Sequence, residues 1–167
     1  MNRIALVRFT LVAAVGMGTI GCLGSTGKAS GGGWMPSVVT GEIATFGFHT
    51  KCEDSLGKSS LMYFDHGAEV AINVDQLALD ETTHANTVCD VVALDQFTGG
   101  AAFVGNYVPI PTTAGQGGLI VVAYADNGLP GPSNEDAMII SLQGGIFDGY
   151  SNAQLISAGQ VTIVPEE

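Results

Sequence analysis

Apolar and polar residues alternate along this chain with a period of two, and that pattern limits the fold more than any other feature. Phe46, Phe48, Thr50 and Cys52 fall on one side of a segment whose Thr45, Gly47 and His49 fall on the other. Val70, Ile72 and Val74 repeat the pattern, as do Met138, Ile140 and Leu142, while Leu119 to Tyr124 and Val161 to Val164 are short β-branched runs. A period of two places alternate side chains on opposite faces of a strand. Turn chemistry bounds the runs at Gly57-Lys58-Ser59, Asp65-His66-Gly67, Gly99-Gly100, Gly115 to Gly118, Asp126-Asn127-Gly128 and Asp148-Gly149. Val88 to Leu94 reads as either a single helical turn or a strand. With 24 glycines and no long segment of helical period, residues 34–167 are expected to form one all-β domain. Its architecture is predicted to be an antiparallel β-sandwich or small β-barrel with little or no helix.

The N-terminus has a different character. Arg3 and Arg8 precede an apolar run of 12 residues, Phe9 to Ile20, and no acid occurs before Glu42. Twelve apolar residues are well short of the roughly 20 that span a bilayer as a helix, and they suit the apolar region of an export signal. Thr19-Ile20-Gly21-Cys22 resembles the lipobox of bacterial lipoproteins, with Gly21 as the small residue before the cysteine and Thr19 in place of the usual aliphatic one. The resemblance implies that residues 1–21 are a signal peptide, that Cys22 carries lipid, and that the protein lives in the cell envelope. For a Gram-negative envelope, Leu23 in place of aspartate after that cysteine points to the outer membrane, on its periplasmic or surface face. Ordinary secretion after cleavage nearby is the alternative. Residues 22–33, with Gly24, Ser25, Gly27, Ser30 and Gly31-Gly32-Gly33, are expected to be a flexible tether spanning on the order of 20 Å.

Cysteine parity agrees with that assignment. Of three cysteines, acylation of Cys22 leaves Cys52 and Cys89, an even pair in an oxidising compartment. A bridge between them would stabilise the chain by roughly 4 kcal/mol in the chain-entropy view. Losing Arg3 and Arg8 with the signal takes the net charge from −11 to −13 and leaves Lys28, Lys51 and Lys58 as the basic residues. Such a surface cannot release counterions from DNA or RNA, so nucleic acid is excluded as a partner. Membrane contact is therefore expected through the lipid on Cys22, with an envelope protein or glycan as further partner.

Several motifs together resemble a set of uncharacterised exported microbial β-domains. They are Gly31-Gly32-Gly33-Trp34-Met35-Pro36-Ser37, then Ala44-Thr45-Phe46-Gly47-Phe48, then Phe64-Asp65-His66-Gly67, then the loop Asp126, Gly128, Pro130, Gly131 and Asp136, and then Gly149-Tyr150. The ending departs, since Gly159-Gln160-Val161-Thr162 replaces Gly-Asn-Ile-Gln and Leu129 stands where an acid is usual. The resemblance implies a compact exported β-domain and no enzyme activity.

Direct searches for chemistry give one candidate. His49, His66 and His84 belong to no metal spacing, and no G-x-S-x-G elbow exposes a serine. Asp65 and His66 are neighbours that would face opposite ways on a strand, so Asp65-His66-Gly67 is expected to be a turn whose aspartate caps backbone amides. Trp34 is expected to plug the edge of the core. The candidate is the loop 126–136, where Asp126, Asn127, Asn134, Glu135 and Asp136 could offer oxygen ligands to a calcium ion, in a spacing unlike an EF-hand. The preferred reading is a lipid-anchored envelope protein whose non-catalytic β-domain serves a structural or interaction role. A ligand- or carbohydrate-binding module and a hydrolase with an unrecognised site are the alternatives.

Overall fold

The computed structural model describes residues 27–53, 56–75, 88–94, 97–126 and 136–165, with side chains at 27–52, 60–74, 99–126 and 136–164. The strands are β1 (Gly27–Pro36), β2 (Ile43–Glu53), β3 (Leu56–Asp65), β4 (Val70–Asp75), β5 (Val88–Leu94), β6 (Phe97–Pro109), β7 (Gly118–Asp126), β8 (Ala137–Gln143), β9 (Ser151–Leu155) and β10 (Ala158–Pro165). Among the described residues the helical elements are single 3-10 turns at Thr112–Ala114 and Gly145–Phe147.

The domain is all-β. Its antiparallel sheet runs β10-β1-β2-β3-β4-β6-β7-β8-β9 and curls into a half-barrel. β5 is off that path because it shares the position of β4. β4 pairs with β3 and with Val108 and Pro109 of β6, whereas β5 pairs with β6 between Phe97 and Val104 and meets β3 at Leu56. Two short strands therefore run end to end along one line of the sheet, and residues 76–87 connect them. The segment Val88–Leu94 is a strand.

The alternation read from the sequence sets the inner face. Phe46, Phe48, Thr50 and Cys52 are buried on β2, and Ile120, Val122 and Tyr124 on β7. The rings of Phe48 and Tyr124 stack at 3.7 Å with 6° between planes, and Phe103 tilts against Tyr124 at 6.3 Å. Such pairs add about 0.5–1.5 kcal/mol beyond the apolar area they bury. The hydroxyls of Tyr124 and Thr50 are buried without hydrogen-bond partners among the described residues, and burial pushes the Tyr124 phenol well above its ordinary pKa.

Curling brings the two ends of the sheet together. β9 and β10 stand at opposite ends of the strand order, yet only Ile156 and Ser157 separate them in sequence. The Ile156 amide donates to the Asp136 carbonyl at 2.8 Å and the Ser157 amide to the Trp34 carbonyl at 2.9 Å. β10 then crosses to pair with β1 and packs over β6 and β7.

Four expectations are corrected. Residues 27–33, expected within a flexible tether, form most of β1, hydrogen-bonded to both β10 and β2, so the domain begins at or before Gly27 rather than at Trp34. Glycine is used there for close approach. A Cβ on Gly31 would collide with the Gln160 carbonyl and stand 2.8 Å from Cε1 of Phe48, whose ring lies over the strand. Trp34 is not a core plug, because the parity set by buried Ala29 and Met35 turns it to the outer face, 39% exposed. Gly57-Lys58-Ser59 lies inside β3, paired with β2. Gly99-Gly100 lies inside β6, where a Cβ on Gly99 would meet the Ile163 side chain of β10 at 2.9 Å.

Candidate functional site

Three groups of residues carry polar or interaction chemistry, and they lie at the two ends of the half-barrel and on its outer wall. The first centres on Asp65, the last residue of β3, which faces inward and is 1% exposed. Its Oδ1 accepts hydrogen bonds from the Ser37 hydroxyl at 2.5 Å and from the amides of Gly67 and Ala68 at 3.0 Å. Its Oδ2 accepts from the Tyr150 hydroxyl at 2.7 Å. Tyr150 in turn meets the Tyr63 hydroxyl at 2.5 Å, and Asn152 Nδ2 donates to Tyr63 and to the Pro36 carbonyl, both at 3.0 Å. The donors run one way, from Asn152 through Tyr63 and Tyr150 to the carboxylate. One aspartate thereby joins the β1–β2 turn, the β3–β4 turn and the β8–β9 connection.

Burial alone would raise the Asp65 pKa, but the Ser37 and Tyr150 hydroxyls and the Ala68 and Val38 amides outweigh it and hold the carboxyl below its ordinary value. A carboxylate with a lowered pKa is a weak base, and Ser37 donates to it with no imidazole between them. The pair thus lacks the activated proton acceptor that a serine nucleophile requires. His66 faces outward, as expected from strand parity, with Nε2 3.3 Å from Thr45 Oγ1. His49 is exposed on the outer face, and His84 lies outside the described residues.

Burial pushes the Tyr63 phenol up to about 12, and burial together with the Tyr63 and Asp65 contacts pushes Tyr150 higher still. Phenols that ionise near pH 10 in the unfolded chain stay protonated in the folded one, so their contribution is intact below pH 10 and is lost as the pH rises through the folded values. The unfolding free energy is expected to fall by about 3 kcal/mol between pH 10 and 12 from Tyr63 alone. Urea titrations across that range check this, and Tyr63→Phe should flatten the slope. A slope that Tyr63→Phe leaves unchanged contradicts it.

The second group is the pair of aspartates that bracket the proposed calcium loop. Asp126 ends β7 and Asp136 precedes β8, and both are buried. Asp136 Oδ2 accepts the Val161 amide at 2.8 Å, and Asp126 Oδ2 accepts the Ile163 amide at 2.9 Å. By strand alternation these are the β10 amides that point away from β1, the ones an edge strand would leave open. The two carboxylates cap the edge and close the half-barrel. Asn127, Asn134 and Glu135 of the calcium proposal lie outside the described residues, and among the described residues no cluster of three metal-ligating side chains occurs. One carboxylate oxygen of each end residue of the loop serves strand capping, a role invisible in the sequence because Asp126 and Ile163 are 37 residues apart.

The third feature is the outer face of β6 to β9. Val104, Leu119, Val121, Ile139 and Leu155 are all exposed there, and cross-strand pairing sets them beside the small residues Ala102, Ala123 and Ala137 and the uncharged polar residues Asn106, Ser141, Gln143 and Ser151. No acidic or basic residue occupies an outward position on these four strands among the described side chains. Sequence patterning gave little sign of it on β7, where outward Leu119, Val121, Ala123 and Ala125 alternate with apolar inward residues.

Elsewhere, Lys28, Lys51 and Lys58 stand opposite one another across β1, β2 and β3, at the end from which the chain leads back to Cys22. Glu53 ends β2. Cys52 is fully buried and disulfide-bonded. Cys89 lies on β5, which packs against β2, but its side chain is outside those described, as is Cys22.

No family model, curated protein or solved structure matches the chain. The resemblances to the lipobox and to exported β-domains rest on the motifs quoted above.

Proposed function

We propose that this chain is an envelope lipoprotein, held at a membrane by lipid on Cys22, whose β-domain works by binding rather than by catalysis. The observation that carries the binding half of this reading is the outer face of β6 to β9, where exposed Val104, Leu119, Val121, Ile139 and Leu155 gather with no charge among the described side chains, on a chain of formal net charge −11. Contiguous apolar patches of that kind on soluble domains mark interaction surfaces. The polar residues that suggest chemistry in the sequence, Asp65, Asp126 and Asp136, are occupied with backbone and hydroxyl donors of the fold itself. An exposed aromatic row, which would favour a glycan-binding module, does not occur among the described outward residues. Trp34 and half-buried Phe64 are separated by Thr45 of the intervening strand.

The anchoring half rests on Thr19-Ile20-Gly21-Cys22 and on the cysteine count. Only four residues separate Cys22 from Gly27 of β1, so the two Cα atoms are at most about 18 Å apart whatever path the chain takes. A domain so close to headgroups is helped by having its three lysines in a row at that end, since its net negative charge otherwise opposes approach to anionic lipid.

Mass spectrometry of the mature protein from bacterial cells tests the anchor. The expected N-terminus is Cys22 carrying diacylglyceryl and an acyl group, and Cys22→Ser is expected to move the protein from the membrane pellet to the soluble fraction. A free N-terminus downstream of Cys22, or membrane association indifferent to Cys22→Ser, would contradict the proposal.

A further inference from the structure

We infer that the outer face of β1 and β2 carries a shallow site for a short saccharide bearing carboxylate groups, a uronic acid oligomer. Its floor is a pair of glycines. Gly32 and Gly47 stand opposite one another on the outer face, between exposed Gln160 of β10 and Met62 of β3, 49% exposed. A glycine inside a strand weakens it and often marks a place where a ligand or another backbone comes close. Packing explains Gly31 and Gly33, where a Cβ would collide with the Gln160 and Ala158 carbonyls. It does not explain Gly47. A Cβ there would meet nothing within 4 Å, and the backbone takes no positive φ that would call for glycine.

Side chains with binding chemistry flank this floor on both sides. On one side Trp34, 39% exposed, stands in register with Thr45. On the other, exposed Ser30, His49 and Ser60 stand in register, and the next outward row is Lys28, Lys51 and Lys58. Strand spacing makes the trough about 13 Å from the tryptophan row to the serine row and about 14 Å from Gln160 to Met62. An indole face takes the apolar side of a sugar ring, while hydroxyls and an imidazole exchange hydrogen bonds with its hydroxyls.

Charge sets the kind of sugar. The chain's three lysines all lie in that one row, on a chain of formal net charge −11. Among the described side chains no acid points outward on β10, β1, β2 or β3. The nearest acids in register, Asp75 opposite Ser60 and Glu53 two residues beyond Lys51, stand at the margin. Like charges directly opposite destabilise a strand pair, and an anion lying along the row offsets that cost. A carboxylate fits better than a phosphate, because β1 and β2 are paired on both sides and leave no nest of open amides. One ring and a charged row suffice for a short acidic saccharide, whereas a long neutral one would need the aromatic row that this face lacks.

NMR titration of the soluble Cys22→Ser chain tests this apart from both the lipid anchor and the β6 to β9 wall, so each can fail alone. The probes are trimers of galacturonate, glucuronate and mannuronate, with maltotriose and inorganic phosphate for comparison. At least one uronate trimer is expected to bind, moving the amide signals of Gly32 and Gly47 and the indole signal of Trp34. Gly47→Val should weaken that binding by about tenfold or more, because its side chain fills the floor without meeting the fold. Trp34→Ala should cost a similar factor, and Lys51→Gln about threefold with loss of most of the salt dependence. Val121→Thr, on the β6 to β9 wall, should leave binding unchanged. The inference is overturned if no uronate trimer binds at millimolar concentration, or if binding is indifferent to Gly47→Val and Trp34→Ala. Maltotriose binding as tightly would remove the lysines from the site, and phosphate binding as tightly would remove the sugar; either overturns it.

Discussion

Asp65→Ala is expected to lower the unfolding free energy by about 3–5 kcal/mol, a large share of the roughly 5–15 kcal/mol of a typical domain. The loss strands the Ser37 and Tyr150 hydroxyls and the amides of Gly67 and Ala68, all of which now donate to one carboxylate. Thermal melting should show a drop of roughly 10 °C. Asp65→Asn keeps the shape and one acceptor oxygen, so about half that cost is expected. The same carboxyl predicts a pH dependence. Its pKa is lowered in the folded state, so its contribution is complete above the ordinary carboxylate value near 3.8 and is lost as the pH falls through the folded value. Asp65→Asn should flatten the acid limb of a stability profile below about pH 4. An Asp65→Ala protein as stable as the parent would show that the three connections hold without it.

Asp136→Ala is the second substitution with a large expected effect, about 2–3 kcal/mol, because it leaves the buried Val161 amide without an acceptor. Adding Asp126→Ala opens Ile163 as well, and the costs at these adjacent sites are not expected to add exactly as independent ones do. The more telling consequence is at the edge. With both carboxylates gone, β10 presents open amides to other chains, and strand-to-strand aggregation should follow. Urea unfolding gives the stability change, and light scattering at room temperature follows the aggregation. Asp136→Asn, whose side-chain carbonyl can still accept the Val161 amide, should retain most of the stability. A double alanine variant that stays as stable and as soluble as the parent contradicts the latch.

The strands were readable where burial on one face left its mark in alternation. β2, β4, β8 and the inward side of β7 follow directly from Phe46 and Phe48, from Ile72, from Ile140, and from Val122. β1 was not readable, because Gly31, Gly32 and Gly33 have no side chains with which to show a period, and the reason for them is a ring on the neighbouring strand. Glycines at 57, 99 and 100 likewise suggested turns, although the chain passes through them as strand. Asp65 as a turn-capping aspartate was legible from Asp-His-Gly, but its links to Tyr150 and Ser37 join residues far apart in sequence. The same holds for Asp126 and Asp136. Two acids around a proline- and glycine-rich loop suggest cation ligands in the sequence, and the edge strand that they cap is visible only in the fold.

That capping also explains how a half-barrel of nine sheet positions ends without a raw edge at β10. Side-chain carboxylates stand in for the carbonyls of a missing neighbour strand, and the short Ile156-Ser157 link fixes where β10 must begin. Among the described residues, the carboxylates of Asp126 and Asp136 thereby serve the closing of the fold.

Amide hydrogen exchange at Val161 and Ile163 tests this account most directly. If Asp136 and Asp126 hold those amides, both exchange as slowly as the amides of Gln160 and Thr162 that face β1, with or without calcium or EDTA, and the Val161 amide becomes fast in Asp136→Ala. Fast exchange at Val161 and Ile163 in the parent protein, or protection that appears only with calcium, would contradict it.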